Sequence, residues 1–123
     1  LSKMGVDFEN DFKPEYVVVK GRNKYLSAIK KDAKGTEAIF LAADPDREGE
    51  AICWHLKNKL ENDKVKMFRV SFDEITQKAI ESAFQNPRSI DMNKVNAQQA
   101  RRILDRIVGY QVSPILWRTV FRG

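Results

Sequence analysis

The chain has 123 residues, 42% hydrophobic and 32% charged, with 22 basic against 17 acidic side chains. That balance suits one domain, or one small domain with part of another, and excludes a disordered chain. No run of about 18 apolar residues occurs and the first residues lack a signal-peptide layout, so neither a membrane span nor a membrane partner is expected.

In chain order, residues 1–15 read as irregular, with a turn near Phe12 to Glu15. EYVVVKG (15–21) is a β-branched run ended by glycine, which predicts a strand. Lys24 to Lys34 suits a short helix closed by Gly35. AIFLAAD (38–44) is a continuous apolar run, the pattern of a strand covered on both faces. A helix from about Pro45 to Asn62 follows, then a strand over VKMFRVSFDE (65–74) and a helix over EITQKAIESAFQ (74–85). Strands alternating with helices predict an α/β fold with parallel pairing.

NPRSI (86–90) interrupts the pattern and marks an expected boundary, giving domains 1–88 and 89–123. A long amphipathic helix is predicted from Met92 or Asn93 to Gly109 or Tyr110. Ala97, Ala100, Ile103, Leu104, Ile107 and Val108 share an arc of roughly 140°. Gln98, Arg101, Arg102, Asp105, Arg106 and Gly109 occupy the opposite arc, with Tyr110 at the edge. SPILW (113–117) predicts a further short helix, with Ser113 as N-cap and Pro114 in first position.

The net charge of +5 is unevenly placed. Residues 1–86 balance 15 basic against 15 acidic side chains, so the whole excess falls in the last 37 residues. Six of the seven cations there are arginines, whose planar forks match phosphate oxygens. A polyanion partner follows from that asymmetry; a solvated face or a protein interface is the alternative. A single cysteine, Cys53, and a single histidine, His55, exclude a disulfide framework and a zinc cluster within the chain. Cys53 belongs to an apolar stripe with Ile52, Leu56 and Leu60, as a small buried hydrophobe, and His55 borders that stripe.

DPDREGE (44–50) crowds Asp44, Asp46, Glu48 and Glu50 into seven residues. Two unit charges about 4 Å apart repel by roughly 4 kcal/mol at an effective dielectric near 20, so something must offset them. One reading is a helix start: Asp44 as N-cap, Pro45 first in the helix, and acids complementing the helix dipole. That reading leaves Gly49 unexplained, since glycine costs roughly 1 kcal/mol inside a helix. The other reading is a metal site. Asp44, Asp46 and Glu48 lie at the carboxyl end of a predicted strand, where open α/β sheets bind ligands. Oxygen donors without His or Cys suit Mg2+, and Gly49 leaves room for a close backbone or phosphate approach. Neither a GxxxxGK[ST] loop nor a GxGxxG occurs, and one histidine supports no Ser-His-Asp or Cys-His arrangement.

These motifs together resemble the type IA DNA topoisomerases, the class of bacterial DNA topoisomerase I, over nearly the whole chain. KMGVDFENDFKPEYVVVKG resembles the segment leading into the second half of that family's toprim domain. LAADPDREGEAICWHL matches its acidic DxDxE motif, and FRVSFDEITQKAI the strand and helix after it. VNAQQARRILDRIVGYQVSPILW resembles the start of the next, helical domain and is the most specific stretch. DPDREGE alone is less so, because other toprim enzymes, primases among them, carry related motifs.

The resemblance implies a toprim (Rossmann-like) parallel sheet with flanking helices, followed by a short all-α segment. It implies a parent enzyme that relaxes negatively supercoiled DNA by Mg2+-dependent single-strand cleavage, strand passage and religation. Asp44, Asp46 and Glu48 would bind Mg2+, with Glu48 and Arg47 at the cleaved phosphodiester. Arg47 and Arg69 would lie near DNA phosphates. Arg101 and Asp105 would position the phosphate, and Arg102, Arg106 and Tyr110 would hold a nucleotide of the single strand. Two of the family's parts have no match in this sequence: a glutamate on a first strand, and the nucleophilic tyrosine of a later domain. Tyr16, Tyr25 and Tyr110 do not fit that tyrosine's motif, so the chain alone is expected to be an inactive fragment, partnered by the parent's remaining domains. A cytoplasmic, nucleoid-associated location is expected. The alternatives are a fragment of topoisomerase III or of a reverse gyrase, and a non-catalytic module that binds single strands through its arginine face.

Overall fold

A computed structural model of the chain describes residues 5–7, 9–10, 12–60 and 65–120. Its elements are β1 (Val6–Asp7), β2 (Lys13–Pro14), α1 (Asn23–Asp32), β3 (Ala38–Ala42), α2 (Arg47–Leu60), β4 (Lys66–Val70), α3 (Gln77–Gln85) and α4 (Met92–Val120). The chain divides into two compact units, residues 18–96 and residues 1–17 with 97–123. The boundary expected at residue 88 therefore falls inside the first unit. Arg88 is tied there by a two-way backbone pairing with Arg69, at 2.8 and 2.9 Å, which extends the edge of β4.

Unit 18–96 is the α/β part. β3 and β4 run parallel in register, Ala38 opposite Lys66 through Ala42 opposite Val70. Leu41, Ala51, Cys53, Leu60, Val70 and Val95 are the buried apolar residues, drawn from β3, α2, β4 and the start of α4. Cys53 is the buried hydrophobe its stripe predicts, with its thiol pushed up by burial. Ile52 departs from that stripe and is exposed. On β3, Phe40 faces away from Leu41 and stacks on Phe68 at 5.6 Å and against Phe84 of α3 at 5.3 Å. This second face is half open, so the double coverage inferred from the apolar run is only partly realised. Thr76 caps α3 by accepting from the N–H of Ala79 at 3.3 Å. Gly35, at φ +83°, takes the left-handed turn that ends α1.

The strand predicted over EYVVVKG is absent. Residues 15–19 form no regular element; the Glu15 N–H donates to the Gly5 carbonyl at 3.0 Å, and Val17 to Val19 are exposed. The run passes from one unit to the other at Val17 and Val18, and β-branched residues form a strand only where a neighbour supplies a ladder.

In the other unit, the segment expected to be irregular contains a short antiparallel pairing of β1 with β2, Val6 opposite Pro14 and Asp7 opposite Lys13. The Asp7 carboxylate accepts from the backbone of Glu9 and Asn10 and from the Asn10 side chain, holding the intervening turn. α4 runs unbroken to Val120, so Ser113 is not an N-cap and Pro114 lies inside a helix. Gly109 keeps a negative φ and does not terminate the helix. Pro114 removes one N–H from the ladder, a cost of about 3 kcal/mol in a straight helix, yet the helical signals on both sides carry the chain through. No helix among the described residues is long and apolar enough to cross a membrane.

Candidate functional site: the acidic loop and its cationic floor

The loop between β3 and α2 carries the acidic motif. Asp46, not Asp44, starts the helix. Its Oδ1 accepts from the N–H of Gly49 at 2.7 Å, and its carbonyl accepts from the N–H of Glu50 at 3.1 Å. The helix therefore begins at Arg47 rather than at Pro45. Asp44, Asp46, Arg47 and Glu48 are exposed, while Gly49 and Glu50 are buried.

Gly49 has a specific reason to be glycine. A Cβ there would meet the carbonyl oxygen of Asp44 at 2.1 Å. The close approach allowed for at this residue is made by the backbone of Asp44, folded back across the helix start.

Beneath the loop lies a buried charge cluster. Glu50 is fully buried and accepts from Arg69 Nε at 3.0 Å, from Arg88 Nη2, and from the N–H of Asp91 at 3.0 Å. Burial pushes the Glu50 carboxyl up, but the hydrogen bonds from Arg88 and Asp91 and the charges of Arg69 and Arg88 outweigh it. The group is held below the usual glutamate range. Arg69 is also buried, and spends its remaining donors on carbonyls: Leu41 at 3.2 Å, Ala43 at 2.8 Å, Asp44 at 2.6 Å, and Val70. The guanidinium of Arg69, which the resemblance places near DNA phosphates, is enclosed here and engaged with the loop's own backbone. Lys94, in the first turn of α4, donates to the carbonyl of Pro45 at 2.7 Å.

The cations thus bind the loop's carbonyls from below, while its carboxylates are exposed to solvent. Of the four acids, Glu50 has its charge offset by protein cations already in place, Arg69 and Arg88. Among the described residues, no three His, Cys, Asp or Glu side chains are grouped closely enough to hold a metal ion. Of the three acids read as metal ligands, Asp46 has its Oδ1 engaged at the helix N-terminus, while Asp44 and Glu48 are exposed. The donor chemistry still fits Mg2+, which takes one or two carboxylates and keeps several waters.

In the second unit, the arginine face of α4 shows a different environment. Arg101 Nε lies 3.7 Å from Asp105 Oδ2, one turn on, with both side chains exposed. The Arg106 guanidinium lies over the Tyr110 ring at 5.3 Å, a cation–π contact. Arg102 is exposed. The apolar arc is not a buried stripe here: Leu104 and Val108 are exposed, whereas Gln98, on the polar arc, is buried. Tyr16 has its hydroxyl pushed up by burial, with Arg102 pulling the other way.

Glu50, Arg88 and Lys94 had no role in the sequence reading. Glu50 did leave a signal, as an acid that helix capping does not need. Lys94 left none, because only the fold brings it to Pro45.

The Toprim domain family model matches residues 3–75. The chain is also similar to the full-length topoisomerase I of Thermotoga maritima, at 52% identity and a TM-score of 0.84. That match covers 95% of this chain and 20% of the other, so the chain spans about a fifth of the length of the structure it resembles. The resemblance to bacterial topoisomerase I and the α/β parallel-sheet fold are both borne out. With more than half of its length matched by the family model, the chain belongs to the Toprim domain family.

Proposed function

We propose that the chain is the toprim portion of a type IA DNA topoisomerase, whose parent enzyme relaxes negatively supercoiled DNA. The parent would cleave one strand by transesterification, pass the other strand and religate. The observation that carries this reading is the exposed acidic loop anchored on a buried cationic floor, in a chain 52% identical to a bacterial topoisomerase I. Asp44, Asp46 and Glu48 would supply the carboxylates, one or two at a time, that hold Mg2+, and the ion would neutralise charge on the phosphate at the scissile bond. Arg47, at the N-terminus of α2, and Glu48 act at that phosphodiester. Arg101 and Asp105 position the phosphate. Arg102, Arg106 and Tyr110 receive a nucleotide of the single strand, supported by the planar stacking that Arg and Tyr offer a base. The attacking hydroxyl is assigned to none of Tyr16, Tyr25 and Tyr110, which do not fit the motif of the family's nucleophilic tyrosine. Location in the cytoplasm, with the nucleoid, follows from the DNA substrate.

Asp46 supplies the test, because its cap and its charge can be separated. Asp46→Asn retains an N-cap acceptor, so stability stays within about 0.5 kcal/mol, whereas Asp46→Ala costs about 1 kcal/mol in thermal unfolding. In the parent enzyme, Asp46→Asn is expected to lose Mg2+-dependent plasmid relaxation despite its intact helix start. Unimpaired relaxation by that variant, or relaxation by the purified chain alone, would sink the reading. One observation favours a second reading, a non-catalytic single-strand-binding module: the engaged Asp46 in a loop without three grouped metal donors among the described residues. A chain that binds single strands and takes up no Mg2+ would select it.

A further inference from the structure

Three consecutive carbonyls of the acidic loop accept from side-chain cations. Ala43 and Asp44 accept from Arg69, at 2.8 and 2.6 Å, and Pro45 accepts from Lys94 at 2.7 Å. The donors come from two elements, β4 and the first turn of α4. Each donor is itself held. Arg69 is fixed by buried Glu50. Lys94 stands on a helix start that Asp91 caps, its Oδ1 accepting from the N–H groups of Asn93 at 3.0 Å and Lys94 at 3.3 Å. The N–H of Asp91 donates in turn to Glu50 Oε2, so one buried carboxylate sets both donors.

We infer that Lys94 is a positioning residue of the acidic loop. Its ammonium holds the Pro45 carbonyl and so fixes the turn that presents Asp44, Asp46 and Glu48 to solvent. Pro45 has no N–H and a fixed φ, so its carbonyl is the part of that peptide through which the loop can be anchored by hydrogen bonding. The bond is charge-assisted and half-buried, which makes it stronger than a surface ion pair. The consequence for cation binding rests on the metal reading above; the consequence for the loop's backbone does not.

The sign of the effect separates the possible roles. If Lys94 acted only as a nearby charge, removing it would strengthen binding of a divalent cation by the acids. If it served only general stability, its loss would loosen the whole unit. Positioning predicts a local loosening together with weaker cation binding. Lys94→Met keeps the aliphatic stem and removes the donor, and Lys94→Arg keeps a cationic donor. Two measurements on the full chain read the outcome: amide hydrogen exchange, and Mn2+ binding followed by the electron paramagnetic resonance signal of the free ion. In Lys94→Met, exchange at the Gly49 and Glu50 amides should rise about tenfold, as loss of one hydrogen bond to a charged group implies. Exchange in β3 and β4 should be unchanged, Mn2+ binding should weaken several-fold, and Lys94→Arg should restore both. Unchanged exchange at Gly49 and Glu50, uniformly faster exchange, or Mn2+ binding that is unchanged or tighter would each overturn the inference. If the unmodified chain takes up no Mn2+, the metal reading has failed, and the exchange pattern alone decides the role of Lys94.

Discussion

The acidic loop and the distal part of α4 both gather charge, and they do so in opposite ways. The loop puts its acids outward over a floor in which Glu50 and Arg69 are fully buried. Along α4, Arg101, Arg102, Asp105 and Tyr110 lie on an exposed surface, where Arg101 meets Asp105 one turn on and Arg106 lies over the Tyr110 ring. Buried charge is costly to disturb, because a partner left alone cannot return to water. Exposed charge can be exchanged at little cost to the fold and is free to act on a ligand. The loop's floor is therefore costly to perturb, whereas the helix face is adjustable.

The largest expected effect breaks the floor. Glu50→Gln leaves Arg69 enclosed without its counter-charge and should destabilise unit 18–96 by about 3–5 kcal/mol in urea denaturation. The native chain carries the matching pH dependence. The Glu50 carboxyl is held below its ordinary value, so its contribution is complete above the unfolded value of about 4.3 and fades as pH falls through the lower folded value. Glu50→Gln should flatten stability in that acid range. A variant as acid-sensitive as the native chain would remove Glu50 from the centre of the floor.

Gly49→Ala comes next. Its methyl would press on the Asp44 carbonyl, forcing the loop or the helix start to shift at about 2–3 kcal/mol, measured as a lowered thermal midpoint. A neutral result would mean that the loop is softer than its hydrogen bonding implies. The smallest effect on the fold is expected on α4. Replacing Arg102 and Arg106 by Ala should cost about 1 kcal/mol, mainly the cation–π contact of Arg106 with Tyr110. Single-strand binding should nonetheless weaken. If the face makes about three to five phosphate contacts, the native log–log salt slope is roughly −2 to −4, and the double variant should lower its magnitude by about 1.4, or 0.7 per contact. An unchanged slope would place the phosphate contacts elsewhere.

Much of this molecule was legible in its residues. The strands β3 and β4, the helices α1 to α3, the buried thiol of Cys53 and α4 as far as Tyr110 all follow from patterns local to each segment. Such patterns are reliable where periodicity and capping act within a few residues. EYVVVKG failed as a strand because strand formation depends on a neighbour elsewhere in the chain, which local sequence does not reveal. Pro114 failed as a helix start because a proline suits both a first turn and a tolerated interior position, and the flanking residues decided for the latter.

The sequence by itself determined that acids are concentrated at the end of a strand, that arginines dominate one face of α4, and that the chain is of the toprim kind. Only the tertiary structure decided which charges are spent inside the fold and which face solvent. It enclosed Arg69 and Glu50, moved the helix cap from Asp44 to Asp46, and brought Lys94 to a carbonyl 49 positions earlier in the chain. The physical reason is that a charged side chain reads alike in sequence whether buried or exposed, whereas the cost of burying it is met only by partners that folding assembles.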